Sequence, residues 1–296
     1  MNRICALMII LLLPLSVYGA EEIRFKHARS LYADDKGVGM KNPEGVACGK
    51  DRLVVADTGN SRLILYSILG GEPKGGTEVL VPQAVYPIRL AMSSTGDLFV
   101  IDGRQRKVAR LSSEGTFKNY VELTGLPLEG VVIPAGISLD GKDNLHLLDM
   151  AGNRVLVFGD DGKFQRQIPL PKEYGFINDL TVDARGAVSL LDSVNAVVYS
   201  NAKDPAVFIP VSGKLKDDMQ FPTNIAIDAQ GVLFISDQNG GGIIAVSPDG
   251  TAKRLFSMGW KEGTLRYPAQ LCVSSGGGLF VADRDNSRIQ VFIPLK

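Results

Sequence analysis

Apolar residues along this chain fall in short runs separated by stretches rich in Gly, Pro, Asp and Asn. The runs end repeatedly on an aspartate. "LVVAD", "LFVID", "LHLLD", "VSLLD", "LFISD" and "LFVAD" place Asp57, Asp102, Asp149, Asp192, Asp237 and Asp283 at steps of 45, 47, 43, 45 and 46 residues. Upstream of each lies a second apolar run, opened in all but the fourth unit by a proline: "NPEGVAC", "YPIRLAM", "IPAGISL", "FINDLTV", "FPTNIAI" and "YPAQLCV". A proline at a strand start loses no ladder hydrogen bond. Turn sequences such as "STGD", "DARG" and "SSGGG" join the first run to the second. A third run ("RLILY", "RVLVF", "RIQVF") and a fourth ("TEVLV", "AVFIP") complete the unit.

Four short antiparallel strands at this period predict an all-β, six-bladed β-propeller. The units lie near 42–82, 86–123, 133–170, 176–210, 221–257 and 267–296. The last ends after its third run, so "IRFKHARSLYA", residues 23–33, is expected to supply the missing strand and close the ring. Within the first runs, large residues (Val46, Leu90, Ile137) alternate with small ones (Ala47, Ala91, Ser138), as stacked blades require.

One motif recurs at the end of the second run. Asp57, Asn60 and Arg62 return as Asp283, Asn286 and Arg288, and with the Asn displaced by one position as Asp149, Asn153 and Arg154. Asp and Asn bond turn backbone, and Arg reaches back to a carboxylate across a hairpin, so these residues are expected to build turns. "PEGVAC…LVVADTGNSRLILY" and "YPAQLCV…LFVADRDNSRIQVF" resemble NHL repeats, a family of six-bladed propellers found as exported proteins, receptor ectodomains and binding modules. That resemblance implies a fold and a manner of binding, with no reaction attached.

Residues 1–20 read as a secretory leader: Arg3, an apolar run from Ile4 to Leu15, then "SVYGA" before Glu21 and Glu22. The expectation is export to the periplasm or the extracellular space, with no other membrane-crossing segment, and the lack of N-x-[ST] sites leans towards a bacterial source. Arg3 is the one charge in that leader, so the remainder carries 31 Lys and Arg against 32 Asp and Glu. Such a balance, with loops that mix Lys172 and Glu173 or Lys214, Lys216, Asp217 and Asp218, argues against nucleic acid.

Candidate chemistry centres on one face, where the long connections between units gather. Two positions after each opening Pro or its equivalent come Gly45, Arg89, Gly136, Asp179, Asn224 and Gln270, a polar ring for the channel. Arg89 is expected either to pair with Asp179 or water, or to hold a carboxylate-bearing ligand. Trp260, the single tryptophan, stands as a partner anchor or as a plug of the channel mouth. "PEGVA" and "FINDLTVDARG" also resemble lactonases of the gluconolactonase and regucalcin type. In those a divalent cation such as Ca²⁺ is held at positions matching Glu44 and Asn178, but here Thr223 and Ala269 occupy the other two. Amidating lyases with related propellers bind zinc through several histidines, whereas this chain has only His27 and His146. Cys48 and Cys272 are expected to fill slots between blades, unbridged, because inner strands of adjacent blades usually stand too far apart. The reading that follows is a non-enzymatic binding propeller for a protein, peptide or envelope glycan, needing no cofactor, with a metal-dependent lactonase as the alternative.

Overall fold

A computed structural model describes residues 23–295 apart from 125, 127–129 and 213–214; the expected leader, residues 1–20, and Lys214 lie outside the described residues. Six four-stranded antiparallel sheets surround one axis, with 3-10 turns at Thr58–Asn60, Leu215–Asp217 and Arg284–Asn286. Blade 1 spans 45–79, blade 2 87–120, blade 3 134–169, blade 4 177–210 and blade 5 222–254. In blade 6, residues 268–294 supply the three inner strands, and Phe25–Leu31 supplies the outermost. The fourth strands are uneven: Glu72–Val79 in blade 1, but only Ile209–Pro210 in blade 4.

The second strand of every blade is covered on both faces, which is why these segments read as unbroken apolar runs. All five residues of Leu98–Asp102, Leu145–Asp149, Val188–Asp192, Leu233–Asp237 and Leu279–Asp283 are buried. Cores form between blades, with Val46, Val55 and Ile64 of blade 1 against Phe280, Ala282 and Val291 of blade 6. The innermost strands carry a bulge just after the opening Pro or Ile in blades 2 to 6, for instance between Pro87 and Arg89.

The ring closes by pairing its two ends. Phe25 faces Pro294 and Leu31 faces Ile289 in antiparallel register. Phe25 also sets its ring edge-on to Phe234 at 5.8 Å. A second fastener corrects the expectation for the cysteines: Cys48 and Cys272 form a disulfide, with Cα atoms 6.0 Å apart. The reason is that the inner strands of these neighbouring blades stand within bonding reach of one another at this level of the channel. Gln270 N–H donates to the Glu44 carbonyl at 3.1 Å, so the inner strands touch backbone to backbone beside the bridge.

The polar ring of the inner strands is spent on tying blade to blade. Gln270 of blade 6 accepts from the N–H groups of Val46 (3.1 Å) and Leu90 (2.9 Å) and donates to the Leu90 carbonyl (2.8 Å). It reaches past blade 1 because Gly45 has no side chain: a Cβ there would lie 3.4 Å from the Gln270 oxygen, 3.2 Å from Leu90 and 2.9 Å from Ala56. Asn224 of blade 5 accepts from Leu271 N–H at 2.8 Å. Asp179 of blade 4 accepts from Ile225 N–H at 3.1 Å and from the Asn224 amide. Gly136 plays the part of Gly45 for blade 3, since a Cβ would stand 2.5 Å from Asp179 Oδ1. The six inner strands, with Asp179, Asn224 and Gln270 among the lining residues, border a cavity of about 220 Å³.

Two outcomes follow. A chain lacking residues 21–33 leaves the outer edge of the third strand of blade 6 unpaired, and its melting temperature should fall by well over 5 °C, about the effect of 1 to 2 kcal/mol in a domain this size. Melting at the intact temperature would refute closure by this strand. The second concerns Asp179, whose pKa burial raises from 3.8 to about 6, with Arg89 and the hydrogen bonds opposing that rise. The folded state therefore keeps a proton that the unfolded chain releases, and stability declines as pH rises from about 4 to about 6. Asp179→Asn removes that decline, so its stability relative to wild type should improve by about 2 kcal/mol across this window. Parallel pH profiles by urea denaturation would refute the assignment.

Candidate functional site

The face carrying the long connections is organised by six buried carboxylates. Asp57, Asp102, Asp149, Asp192, Asp237 and Asp283 are at most 1% exposed. Each accepts an N–H from the segment leading into its own blade: Lys41 (2.7 Å), Tyr86 (2.9 Å), Ile133 (3.0 Å), Gly175 (2.7 Å), Gln220 (3.0 Å) and Arg266 (2.7 Å). The aspartate thus fastens the connection that enters the blade to the turn between its second and third strands. Four residues later the backbone of every turn is left-handed, at Ser61, Arg106, Asn153, Ala196, Gly241 and Ser287, with φ between 50° and 62°. Such a conformation is uncommon outside glycine and is held here by the surrounding bonds.

The arginines of the motif complete this clasp. Arg62 Nε donates to Asp57 at 2.7 Å, Arg154 to Asp149 at 2.9 Å and Arg288 to Asp283 at 2.7 Å. Arg62 goes further, meeting Asp34 at 2.6 Å and Glu78 at 3.1 Å while only 2% of its side chain is exposed. Burial opposes ionisation of Asp34, but hydrogen bonds from Val38 and Arg62 outweigh it and hold the carboxyl below its ordinary range. Asn60 and Asn286 donate to their aspartates at 2.8 and 2.9 Å. Asn153 does not: Gly152 fills the matching position, while Asn153 is the left-handed residue and accepts from the Tyr174 hydroxyl at 2.8 Å. Asn195 bonds Asp192 at 2.8 Å, a member of the set that weak overall similarity in blade 4 concealed. In blade 5 the arginine position is Gly242, and Arg254 from the next strand extends through the space so left to reach Asp237 at 3.3 Å.

At the channel mouth the expected residues are scattered among different tasks. Glu44 is engaged by Arg284 at 3.3 Å, and Arg284 also meets Asp285 at 3.0 Å. Asn178 is half-buried on the opposite side of the ring, in blade 4. Thr223 is buried, and its Oγ1 has no hydrogen-bond partner among the described residues. Among those residues no three His, Cys, Asp or Glu side chains converge as metal ligands. Glu44, Asn178, Thr223 and Ala269 therefore do not fit a divalent cation, which requires a cage of several oxygens. His27 bonds Ser30 at 3.0 Å in the closing strand. His146 is fully buried 3.4 Å from Asp140, and burial depresses its pKa.

Arg89 does not form an ion pair with Asp179 among the described residues, although its charge acts on that carboxyl. Its Nη1 donates to the Ile88 carbonyl at 3.1 Å, and its Nε is buried without a partner. Trp260 is no plug: it stands 68% exposed with the Arg266 guanidinium 3.7 Å above its ring. Tyr267 and Tyr86 likewise lie under Arg284 (5.2 Å) and Arg104 (4.5 Å). Several large apolar side chains on this face are open to solvent, among them Met258, Phe176, Val194, Leu80 and Val131.

Comparison with known proteins bears on the fold alone. Residues 265–292 match the model of the NHL repeat. No curated protein matches the chain in sequence. Among solved structures, a gluconolactonase from Xanthomonas campestris shares 15% identity over 93% of this chain and 96% of its own, with a TM-score of 0.67. The virginiamycin B lyase of Staphylococcus aureus shares 15% identity over 93% of this chain and all of its own, at 0.61. A chain of a nidogen/laminin complex shares 20% over 74% of this chain and 81% of its own, at 0.58. A lactonase, a lyase and a partner in a protein complex thus share one scaffold, and this chain is a six-bladed β-propeller whose last blade, over residues 265–292, is similar to the NHL repeat.

Proposed function

We propose that this protein is an exported binding propeller, without catalytic activity, that engages a protein, peptide or envelope glycan through the face bearing the long connections. The observation that carries this reading is the set of solvent-exposed apolar side chains there, with Trp260 at 68%, Met258 at 56% and Val194 at 55% exposure. Apolar groups held open on one side of a rigid scaffold mark an interaction surface. The motif residues beneath them are consumed by turn construction, so they position the loops and leave no reactive group. Export is supported by the leader-like residues 1–20 and by the Cys48–Cys272 disulfide, a bond that persists in oxidising compartments. No helix among the described residues is long and apolar enough to cross a membrane. The lactonase alternative rests on likeness of fold, and its first expected ligand, Glu44, is committed to Arg284.

Because Trp260 is the only tryptophan, its emission reports directly on this surface. Fractionated envelope extract should contain a component that shifts the emission to shorter wavelength and that immobilised protein captures. Trp260→Ala with Met258→Ser should abolish capture while leaving the melting temperature unchanged. Undiminished capture by that variant would remove this surface from consideration. Millimolar Ca²⁺ should not move the melting temperature; a rise of several degrees, lost in Glu44→Ala, would reinstate the lactonase.

A further inference from the structure

Blade 2 differs from the other five at its outer turn. After Asp102 comes Gly103-Arg104-Gln105-Arg106-Lys107, where the matching turns read "TGNS", "MAGN", "SVNA", "QNGG" and "RDNS". Only the last of those carries a cation, and Arg284 there is neutralised by Glu44 and Asp285. Arg104, Arg106 and Lys107 are exposed, and none is paired with a carboxylate among the described residues. Lys107 occupies the place of the clasp arginines Arg62, Arg154 and Arg288, yet it lies over the Tyr120 ring at 4.6 Å. Arg104 lies over Tyr86 at 4.5 Å. The same blade contributes Arg89, whose buried Nε has no partner among the described residues.

The flanks of this turn are apolar. The connection from blade 1, "LVPQAVY" at residues 80–86, has no charge, and it exposes Leu80 (68%) and Val85 (37%). On the other side Val131 is 72% exposed. The acidic residues of that connection are Glu122, which accepts from Thr124 N–H at 3.0 Å, and Glu129, which lies outside the described residues.

We infer that the blade 2 sector of this face binds an acidic peptide segment with interspersed apolar residues, supplied by a partner protein. A guanidinium laid on an aromatic ring is held in place while its edge N–H groups stay free for carboxylates. Aliphatic Leu80, Val85 and Val131 gain by covering apolar side chains of the same segment. An anionic glycan fits less well, because Tyr86 and Tyr120 already carry cations on their rings and the remaining exposed groups are aliphatic. The inference narrows the loop-face reading proposed above and depends on it.

The test uses the whole protein and a fluorescein-labelled peptide of alternating glutamate and valine, followed by anisotropy. The peptide should bind, and binding should weaken as salt is raised. The variant Arg104→Ser, Arg106→Asn, Lys107→Ser should lower affinity by about tenfold or more with an unchanged melting temperature, Asn being suited to the left-handed backbone at position 106. Leu80→Ser with Val85→Ser should weaken binding of this peptide too, whereas Trp260→Ala, which removes a separate contact of the whole partner on the connection between blades 5 and 6, should leave the peptide's affinity unchanged. Equal binding of a lysine–valine peptide, preference for polygalacturonate or single-stranded RNA, or full affinity in the triple variant would each overturn the inference. Capture of an envelope component by wild type and triple variant alike, lost only in the Trp260 variant, would overturn it while sparing the loop-face reading.

Discussion

Everything on the loop-bearing face depends on a buried carboxylate at the end of each second strand. An ionised group with almost no solvent exposure is costly unless every lone pair is met. Here a backbone N–H of the connection that enters the blade meets each carboxylate, and the turn side adds backbone N–H groups in blades 2, 4 and 5 and an asparagine or arginine side chain in blades 1, 3 and 6. The two irregular segments are thereby locked to one another, and their outer residues are released from any structural duty. The arginine is the adjustable part: it comes from the third strand in blades 1, 3 and 6 and from the fourth in blade 5. Blades 2 and 4 have none among the described residues: the position is Val197 in blade 4, and in blade 2 it is a lysine that lies on a tyrosine.

A closed ring imposes a second constraint, that the first and last blades meet without a gap. Three devices act at that seam: the exchanged outer strand, the disulfide, and Gln270 stretching across blade 1 to blade 2. The belt of inner-strand hydrogen bonds is continuous from Asp179 through Asn224 and Gln270 to Leu90, and it passes Arg89 by. Arg89 is thus the charged ring member that this belt leaves out.

The blades and their closure were legible in the sequence because burial on both faces leaves a continuous apolar run and because a sixfold repeat exposes its own period. The Asp–Arg clasp was legible for the same reason. What escaped was whatever depended on space. The disulfide needed the knowledge that blades 1 and 6 approach to backbone hydrogen-bonding distance. The bond of Arg254 to Asp237 needed the room left at Gly242, which spacing along the chain does not encode. The role of Asn153 was misread because a one-residue offset looked like slippage, when the offset places it on the left-handed position. Gln270 and Asn224 read as channel-facing amides, although their hydrogen bonds to neighbouring inner strands, with room left by Gly45 in the case of Gln270, direct them into the walls.

The disulfide has a mechanical meaning as well. Phe25 sits opposite Pro294, so the two ends of the propeller leave from the same edge of blade 6. A pull between them would load the closing pair in the unzipping direction, parting its hydrogen bonds one after another at low force. Peeling could free the closing strand and the outer part of blade 6. It would then arrive at Cys48 and Cys272, where the load passes into a covalent bond. Blades 2 to 5, enclosed between those two cysteines, would stay slack and folded, and a tethered propeller could give up its outer strands while keeping most of its binding face intact.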